Sequence, residues 1–488
     1  MPEGPSPVPL SRRRVLALGG AAAASLALPP LRAQSPDLTA LSIAQAFDRL
    51  RRGQVSPVEL TEACLARIAR HNPDLNAFIT LRADAALDEA RTAAGEIRRS
   101  GPRSPLHGVP IALKDNIDTA GLRTTGASRL FADRVPAKDA EVARRLKEAG
   151  AILLGKLNLH EFAYGGTSTV TAFGTMHNPW NPAHATGGSS GGPGAAVAAG
   201  LCFGALGTDT AGSVRIPAAH CGVVGLKPTY GRVSTRGVMT LSWTLDHVGP
   251  LCRTVEDVAL MLGVVAGYDR LDPTTADVPV PDYRQALGAP TAAFRLGVVR
   301  SPFFDGLDPE VAAAVDAALG VLRGLTAGTM DVTLPMTGPP AELWGPEARA
   351  YHARWIEQSP ELYQPSTRRS LEQWADADAA AYAQAVHDVQ LVRRQIAGRF
   401  TDVDLLVSPT MKTPAPPLDG TAPGDYNSTH VFDVLGLPTI SVPCGFSRAG
   451  LPIGLQIAGA PWAESAVLTL AHAYEQATAW HTRRPPLD

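Results

Sequence analysis

Between Thr186 and Ser213 the chain reads TGGSSGGPGAAVAAGLCFGALGTDTAGS, and no other stretch restricts its fold so strongly. Gly187, Gly188, Gly191 and Gly192 remove side chains from both flanks of the Ser189-Ser190 pair. The backbone there is free to take positive φ and to approach closely whatever it packs against. The small-residue run Gly194–Gly200 suits a closely packed helix. Flexible linkers are also rich in Gly and Ser, but they sit in polar low-complexity sequence, and both flanks here are apolar and specific.

The rest of the chain alternates helical and strand patterns. Ile43, Ala46, Phe47 and Leu50 recur at helical spacing within Leu38–Asn72, and Ser56-Pro57 opens a second helix through Ala69. Ala85–Ser100 reads as a third. Val109–Leu113 and Ala151–Leu154 are short apolar strands separated by the amphipathic helix Asp139–Gly150, a β…α…β succession that points to α/β architecture. Thr254–Ala266, Pro309–Leu325 and Glu464–Ala479 read as helices, and Leu296–Val299, Asp404–Val407 and Thr439–Val442 as strands. Residues 340–400 read as two or three helices that shape a substrate pocket, with Trp344, Tyr351, Trp355, Tyr363 and Trp374 as aromatic candidates. At helical spacing such aromatics are more often core packing than ligand contacts. No linker-like shift of composition appears between Leu38 and Leu487, so the expected fold of 34–488 is α/β: one large domain with a central mixed sheet flanked by helices.

Residues 1–33 read as a segment outside that fold. Arg12-Arg13 precede a mild apolar run, Val15–Leu28, and Leu31-Arg32-Ala33 offers a small residue for cleavage, which is the layout of a twin-arginine export signal. The 14-residue run is too short to span a bilayer of roughly 30 Å, so stable membrane insertion is not expected. Its removal takes four Arg and one Glu and leaves 40 basic against 45 acidic residues. The expected protein is periplasmic or secreted and mildly acidic. Without a basic stripe it is no nucleic-acid binder; a homodimer stays open. Five sparse cysteines make no disulfide scaffold. His160-Glu161 lacks the second histidine of HExxH, and no spacing indicates a metal or other cofactor.

Three chemistries compete for the serines. Gly188–Gly192 matches G-x-S-x-G with Ser190 as nucleophile, but that elbow needs a strand directly before it, and a proline-containing loop precedes it here. A phosphate cradle would need Gly-Lys-Ser/Thr, and Pro193 removes a backbone donor from it. The third joins Lys114, Ser189 and Ser213. A lysine whose pKa is lowered by burial takes the proton of a serine nucleophile through a relay serine, while a glycine turn offers N–H groups to an oxyanion.

The stretches LHGVPIALKDN, ATGGSSGGPGAAVAAG, TDTAGSVRIPAAHCGVVGLKPTYGRVS and LGLPTISVPCGFSRAGLPIGLQIAG, in that order, resemble the amidase signature family from about residue 40 to the C-terminus. The resemblance implies a Ser–cis-Ser–Lys triad: Lys114 as base, Ser189 as relay after a cis peptide bond, and Ser213 as acylated nucleophile. Ser190 would support the network, and Thr210, Ala211, Gly212 and Ser213 would supply the oxyanion hole. Asp209 and Arg215 would pair to hold that turn, and residues 161–164, Ala163 among them, would border the acyl pocket. The activity implied is hydrolysis of a small-molecule carboxamide without a cofactor, with esters and carbamates as related substrates. The alternative within the family is the glutamyl-tRNA(Gln) amidotransferase A-like subunit, and outside it a binding protein that has lost activity. Three departures matter: Pro193 replaces a commoner serine or small residue and fits the first turn of the following helix, and two more bear on the site. Ala211 stands where the family usually has glycine, which is costly if that residue needs positive φ, and Asp433 stands where asparagine is frequent, in a region expected to line the mouth of the site.

Overall fold

The computed structural model describes residue 1 and residues 37–335, 341–419 and 429–487. The export segment expected at 1–33 lies outside the described residues, apart from residue 1. The chain divides into two units after Asp37, and Leu38–Asp488 forms one compact unit.

Local signals start the helices as read. Ser42 and Ser56 each form a reciprocal capping box, with Gln45 and Glu59, at the heads of Ile43–Arg51 and Pro57–Leu75. Pro57 occupies the first helical turn, where its missing N–H costs no bond. Ala83–Ser100 follows, and Phe78–Leu81 between them is a strand that the sequence reading missed.

Eleven strands of the described residues form one mixed sheet. In chain order they are β1 (Phe78–Leu81), β2 (Pro110–Lys114), β3 (Ile152–Leu157), β4 (Gly204–Asp209), β5 (Val224–Lys227), β6 (His247–Cys252), β7 (Arg295–Val299), β8 (Gly328–Val332), β9 (Leu405–Pro409), β10 (Thr439–Phe446) and β11 (Pro452–Gly459). Across the sheet they run β1-β3-β2-β4-β6-β5-β10-β11-β9-β7-β8. β2 lies parallel to both β3 and β4, whereas the β4-β6-β5-β10-β11-β9 centre is antiparallel throughout. β2 to β6 are buried along their whole length and show no alternation of buried and exposed positions, although each carries a polar or charged residue at one end or inside it.

This register builds the site. Parallel pairing sets Leu113 beside Leu206, so Lys114 leaves the sheet where β4 reaches Thr208 and Asp209. The glycine cluster enters the helix Gly191–Ala198, in which Pro193 is the third residue and loses no helical bond. A Cβ on Gly192 would come within 2.3 Å of the Asn158 carbonyl oxygen, so only glycine lets this helix reach the loop after β3. Residues 341–358, 365–372 and 379–395 are helical. Phe162, Met239, Leu241, Tyr363 and Leu371 share a small core there, with Tyr351 and Trp355 packed against it.

Candidate active site

Lys114 closes β2 and is completely buried. Its Nζ donates to Ser189 Oγ at 2.7 Å and to Thr208 Oγ1 at 2.7 Å. Asn116 Nδ2 holds the same Thr208 hydroxyl at 3.1 Å. Desolvation pulls the Lys114 amine down to about 7, partly opposed by the negative charges of Asp209 and Asp246. At neutral pH this amine can therefore both hold and release a proton.

The Gly188–Ser189 peptide bond is cis. The Ser189 carbonyl is fixed from two sides, by the His160 N–H at 3.1 Å and by Ser168 Oγ at 3.3 Å. Ser190 faces the sheet: its Oγ donates to the Thr208 carbonyl at 3.1 Å and accepts from the Thr208 N–H at 3.3 Å. Its own N–H donates to the Ser213 carbonyl at 3.2 Å, which joins the serine pair to the Ser213 turn. Lys114 and Ser189 have no exposed surface, whereas Ser213 keeps 7% and lines a cavity of about 200 Å³. Of the three residues, Ser213 is the one a ligand can reach.

The turn that carries Ser213 rests on a buried charge cluster. Asp209 Oδ1 accepts from the Gly212 N–H at 2.5 Å, and its Oδ2 accepts from the Val214 N–H at 3.1 Å. Arg215 donates to both Asp209 oxygens, to Asp433 Oδ2 at 2.6 Å and to Gln456 Oε1 at 3.0 Å. Burial alone would raise the Asp209 carboxyl, but the Arg215 charge and hydrogen bonds hold it below the ordinary carboxylate range. Asp433 goes the other way. Desolvation lifts it well above its usual value despite Arg215, and the neighbouring Asp209 charge adds to the rise.

Several expectations change here. The Gly212 N–H belongs to Asp209, so Gly212 shapes the turn and is not a free oxyanion donor. Ser190 keeps the supporting place expected of it, wholly buried and tied to β4, and only a direct contact with substrate is ruled out by its lack of surface. Asp433 does not line the mouth of the site; it is buried behind the turn against Arg215. Ala211 carries no positive φ. That conformation falls on Gly212, at +116°, so alanine at 211 is unstrained.

Thr210, Ala211 and Ser213 line the cavity together with Ala163–Gly166, Leu241, Trp344 and Ser370. Phe162 and Ala163 both adopt left-handed backbone, at φ +51° and +62°, a strained pair that a sequence pattern does not reveal. Of the aromatics in 340–400, Trp344 faces the cavity, while Tyr351, Trp355 and Tyr363 pack around His352 and Phe162. Leu241, Ser370 and the Gly165-Gly166 wall carried no sequence signal. All five cysteines are buried. Among the described residues no group of three or more His, Cys, Asp or Glu could hold a metal ion, and no helix is long and apolar enough to cross a membrane.

The family model described as amidase matches residues 59–468, which takes in every residue of this site. The chain belongs to the amidase family. This amidase-family protein is 42% identical to the A subunit of the glutamyl-tRNA(Gln) amidotransferase of Roseiflexus sp. (strain RS-1), an alignment covering 92% of the chain and 98% of that relative. Among solved structures it resembles a 6-aminohexanoate cyclic dimer hydrolase complexed with substrate, at 32% identity, a TM-score of 0.83 and coverage of 92% and 99%. It also resembles the native peptide amidase of Stenotrophomonas maltophilia, at 34% identity, a TM-score of 0.81 and coverage of 91% and 98%. The fold and the carbon–nitrogen amidohydrolase class follow from that membership.

Proposed function

We propose that this amidase hydrolyses an uncharged carboxamide through an acyl-enzyme on Ser213. The observation that carries the reading is the 2.7 Å contact between the buried Lys114 amine and Ser189 Oγ, with the Ser190 N–H bound to the Ser213 carbonyl at 3.2 Å. As Ser213 Oγ attacks the carbonyl carbon, its proton passes to Ser189 and the Ser189 proton passes to neutral Lys114. The oxyanion takes the N–H groups of Thr210, Ala211 and Ser213. Collapse breaks the C–N bond, and the amine leaves with the proton returned from Lys114 through Ser189. Water then repeats the sequence on the ester, which frees the acid and Ser213.

The cavity supports the substrate class. None of its described lining residues carries a charge. A substrate with its own ammonium and carboxylate would lose hydration there without a partner.

A second reading, the role of an amidotransferase A-like subunit, is favoured by the 42% identity over 92% of the chain. Glutamine would then be the amide donor and partner subunits would be required.

Intact-mass and peptide mapping after a fluorophosphonate tests the nucleophile. One adduct on Ser213, absent in Lys114→Ala, supports the reading, and an adduct on Ser190 sinks it. Ammonia release from glutamine against neutral aryl and alkyl amides separates the two substrate classes. The export reading rests on Arg12-Arg13 and the apolar run after them. N-terminal sequencing of the protein from fractionated cells tests it: cytoplasmic protein with residues 1–33 intact contradicts export.

A further inference from the structure

Two carboxylates, Glu347 and the Asp246 whose charge also acts on Lys114, connect the helix that carries Trp344 to the turn that carries Ser213. Glu347 lies one helical turn after Trp344 and is 2% exposed. It accepts from Ser242 Oγ, from Thr244 Oγ1 at 2.5 Å, from the Thr244 N–H at 3.3 Å and from Tyr382 Oη at 2.9 Å. Three of those four donors belong to the segment just before β6, and Leu241 of that segment lines the cavity. The Leu241 N–H donates to Asp246 Oδ2 at 2.9 Å, and Asp246 Oδ1 accepts from Thr210 Oγ1 at 2.6 Å. Thr210 stands on the cavity wall in the turn that leads to Ser213. A path of hydrogen bonds and intervening backbone therefore runs from the helix that holds Trp344, through Glu347, the 241–244 segment and Asp246, to the oxyanion turn.

A buried carboxylate with four donors is costly to leave half-paired, which holds the 242–244 segment to the helix of Trp344. An acyl group that touches both Trp344 and Leu241 presses on two points of it, one on each side of Glu347. A group too short to reach them leaves the path unloaded.

We infer that Glu347 is a positioning residue, and that it couples the fit of an apolar acyl group against Trp344 and Leu241 to the geometry of the Thr210–Ser213 turn. Acyl groups that fill the cavity are then transferred faster, and are not simply bound more tightly. The inference deepens the reading of Ser213 as the acylated residue and rests on it. Neither Glu347 nor Asp246 exchanges a proton with the reacting atoms.

The test compares 4-nitrophenyl acetate with 4-nitrophenyl phenylacetate on the full chain, reading kcat and KM separately and locating the acyl group by mass. Wild type is expected to show a kcat about tenfold higher for phenylacetyl than for acetyl. Glu347→Ala and Asp246→Ala should each reduce that kcat ratio to within about twofold, with KM for phenylacetate changed less than about threefold. Trp344→Ala, which removes one of the two contact points itself, should lower the ratio and raise that KM as well. Glu347→Gln keeps an acceptor and faces hydroxyls that can reverse their role, so it should restore at least half of the ratio. Where Glu347→Ala does not fold, the Ser242→Ala, Thr244→Val pair breaks the same path from its other side. A folded Glu347→Ala or Ser242→Ala, Thr244→Val protein with the wild-type ratio overturns the inference, as does a wild type that shows no ratio. An acyl group that never appears on Ser213 in wild type overturns the Ser213 reading, and this inference falls with it.

Discussion

The Lys114 amine stands 2.7 Å from Ser189 Oγ at a point with no solvent exposure, and that pairing fixes how the chemistry responds to pH. Only the neutral amine can accept a proton. Desolvation brings it down to about 7, against Asp209 and Asp246, which favour the charged form. The acylation rate of Ser213 should therefore rise with pH, reach half its limit near 7 and level off above about 8. Lys114→Ala should lower the rate by about 10²–10⁴ and remove the rising limb. Lys114→Arg, which cannot release its proton, should be equally poor. Burst amplitudes and rates from pH 5 to 9 check this, and a flat wild-type profile contradicts it.

Buried lysines also tie stability to pH. Desolvation lowers Lys114 and Lys227 to about 7 and Lys156 to about 8. Their ordinary value is about 10.4, so between roughly pH 7 and 10 the unfolded chain binds more protons than the folded one, and stability rises with pH. Cys202, Cys221, Cys252 and Cys444 act in the opposite sense, because burial raises each thiol. They favour the folded state below about 8.5 and lose that contribution above it. Denaturant midpoints should climb from pH 6.5 to about 8.5 and then level or fall. Lys114→Met should flatten part of the climb while abolishing activity. A midpoint that falls steadily from pH 6.5 upward rejects the assignment.

Asp433 is the departure that the sequence misplaced, and its surroundings set a clear expectation. It shares Arg215 with Asp209, and its raised pKa means that its contribution is complete below the ordinary carboxylate value and is lost as pH climbs through the folded one. Asparagine cannot titrate, keeps an acceptor for Arg215 and removes a competing negative charge. Asp433→Asn should thus be within about 1 kcal/mol of wild type at low pH and gain relative to it as pH rises. Arg215→Met is the opposite case. It leaves Asp209 buried without its partner and should cost about 3–5 kcal/mol, together with the shape of the Ser213 turn. Equilibrium unfolding at pH 5 and 8 separates the two.

What could be read from the sequence divides along the chain's own distances. Lys114, Ser189 and Ser213 stand in short motifs whose resemblance to the amidase signature family implies their chemistry. The cluster beneath them was only half legible, because Arg215 sits six residues from Asp209 but reaches Asp433 across 218 positions and Gln456 across 241. β6 was missed because Gly249-Pro250 interrupts its apolar pattern. The sheet nevertheless accepts it, pairing Pro250 with Leu206. The cavity wall was the least visible part. Trp344 and Ala163 were expected there, but Leu241 and Ser370 come from segments that offered no signal, and only the folded register brings them to Ser213.

Neighbouring residues of the Ser213 turn should respond in opposite ways to similarly small changes. Gly212 adopts φ +116°, and a Cβ placed on it would lie 2.3 Å from Thr429 Oγ1, the group that donates to the Ala211 carbonyl at 2.7 Å. Gly212→Ala therefore meets both a backbone conformation closed to L-residues and a clash with a residue that holds the turn. It should reduce acylation by at least about 10²-fold, the scale of losing an oxyanion donor. Ala211 has no such strain, so Ala211→Gly should bring no gain in rate and should cost up to about 1 kcal/mol by loosening the unfolded chain. Kinetics and unfolding of the two single variants decide the matter. If Ala211→Gly instead speeds acylation severalfold, the positive φ belongs at 211 in the working enzyme, and this geometry of the turn is wrong.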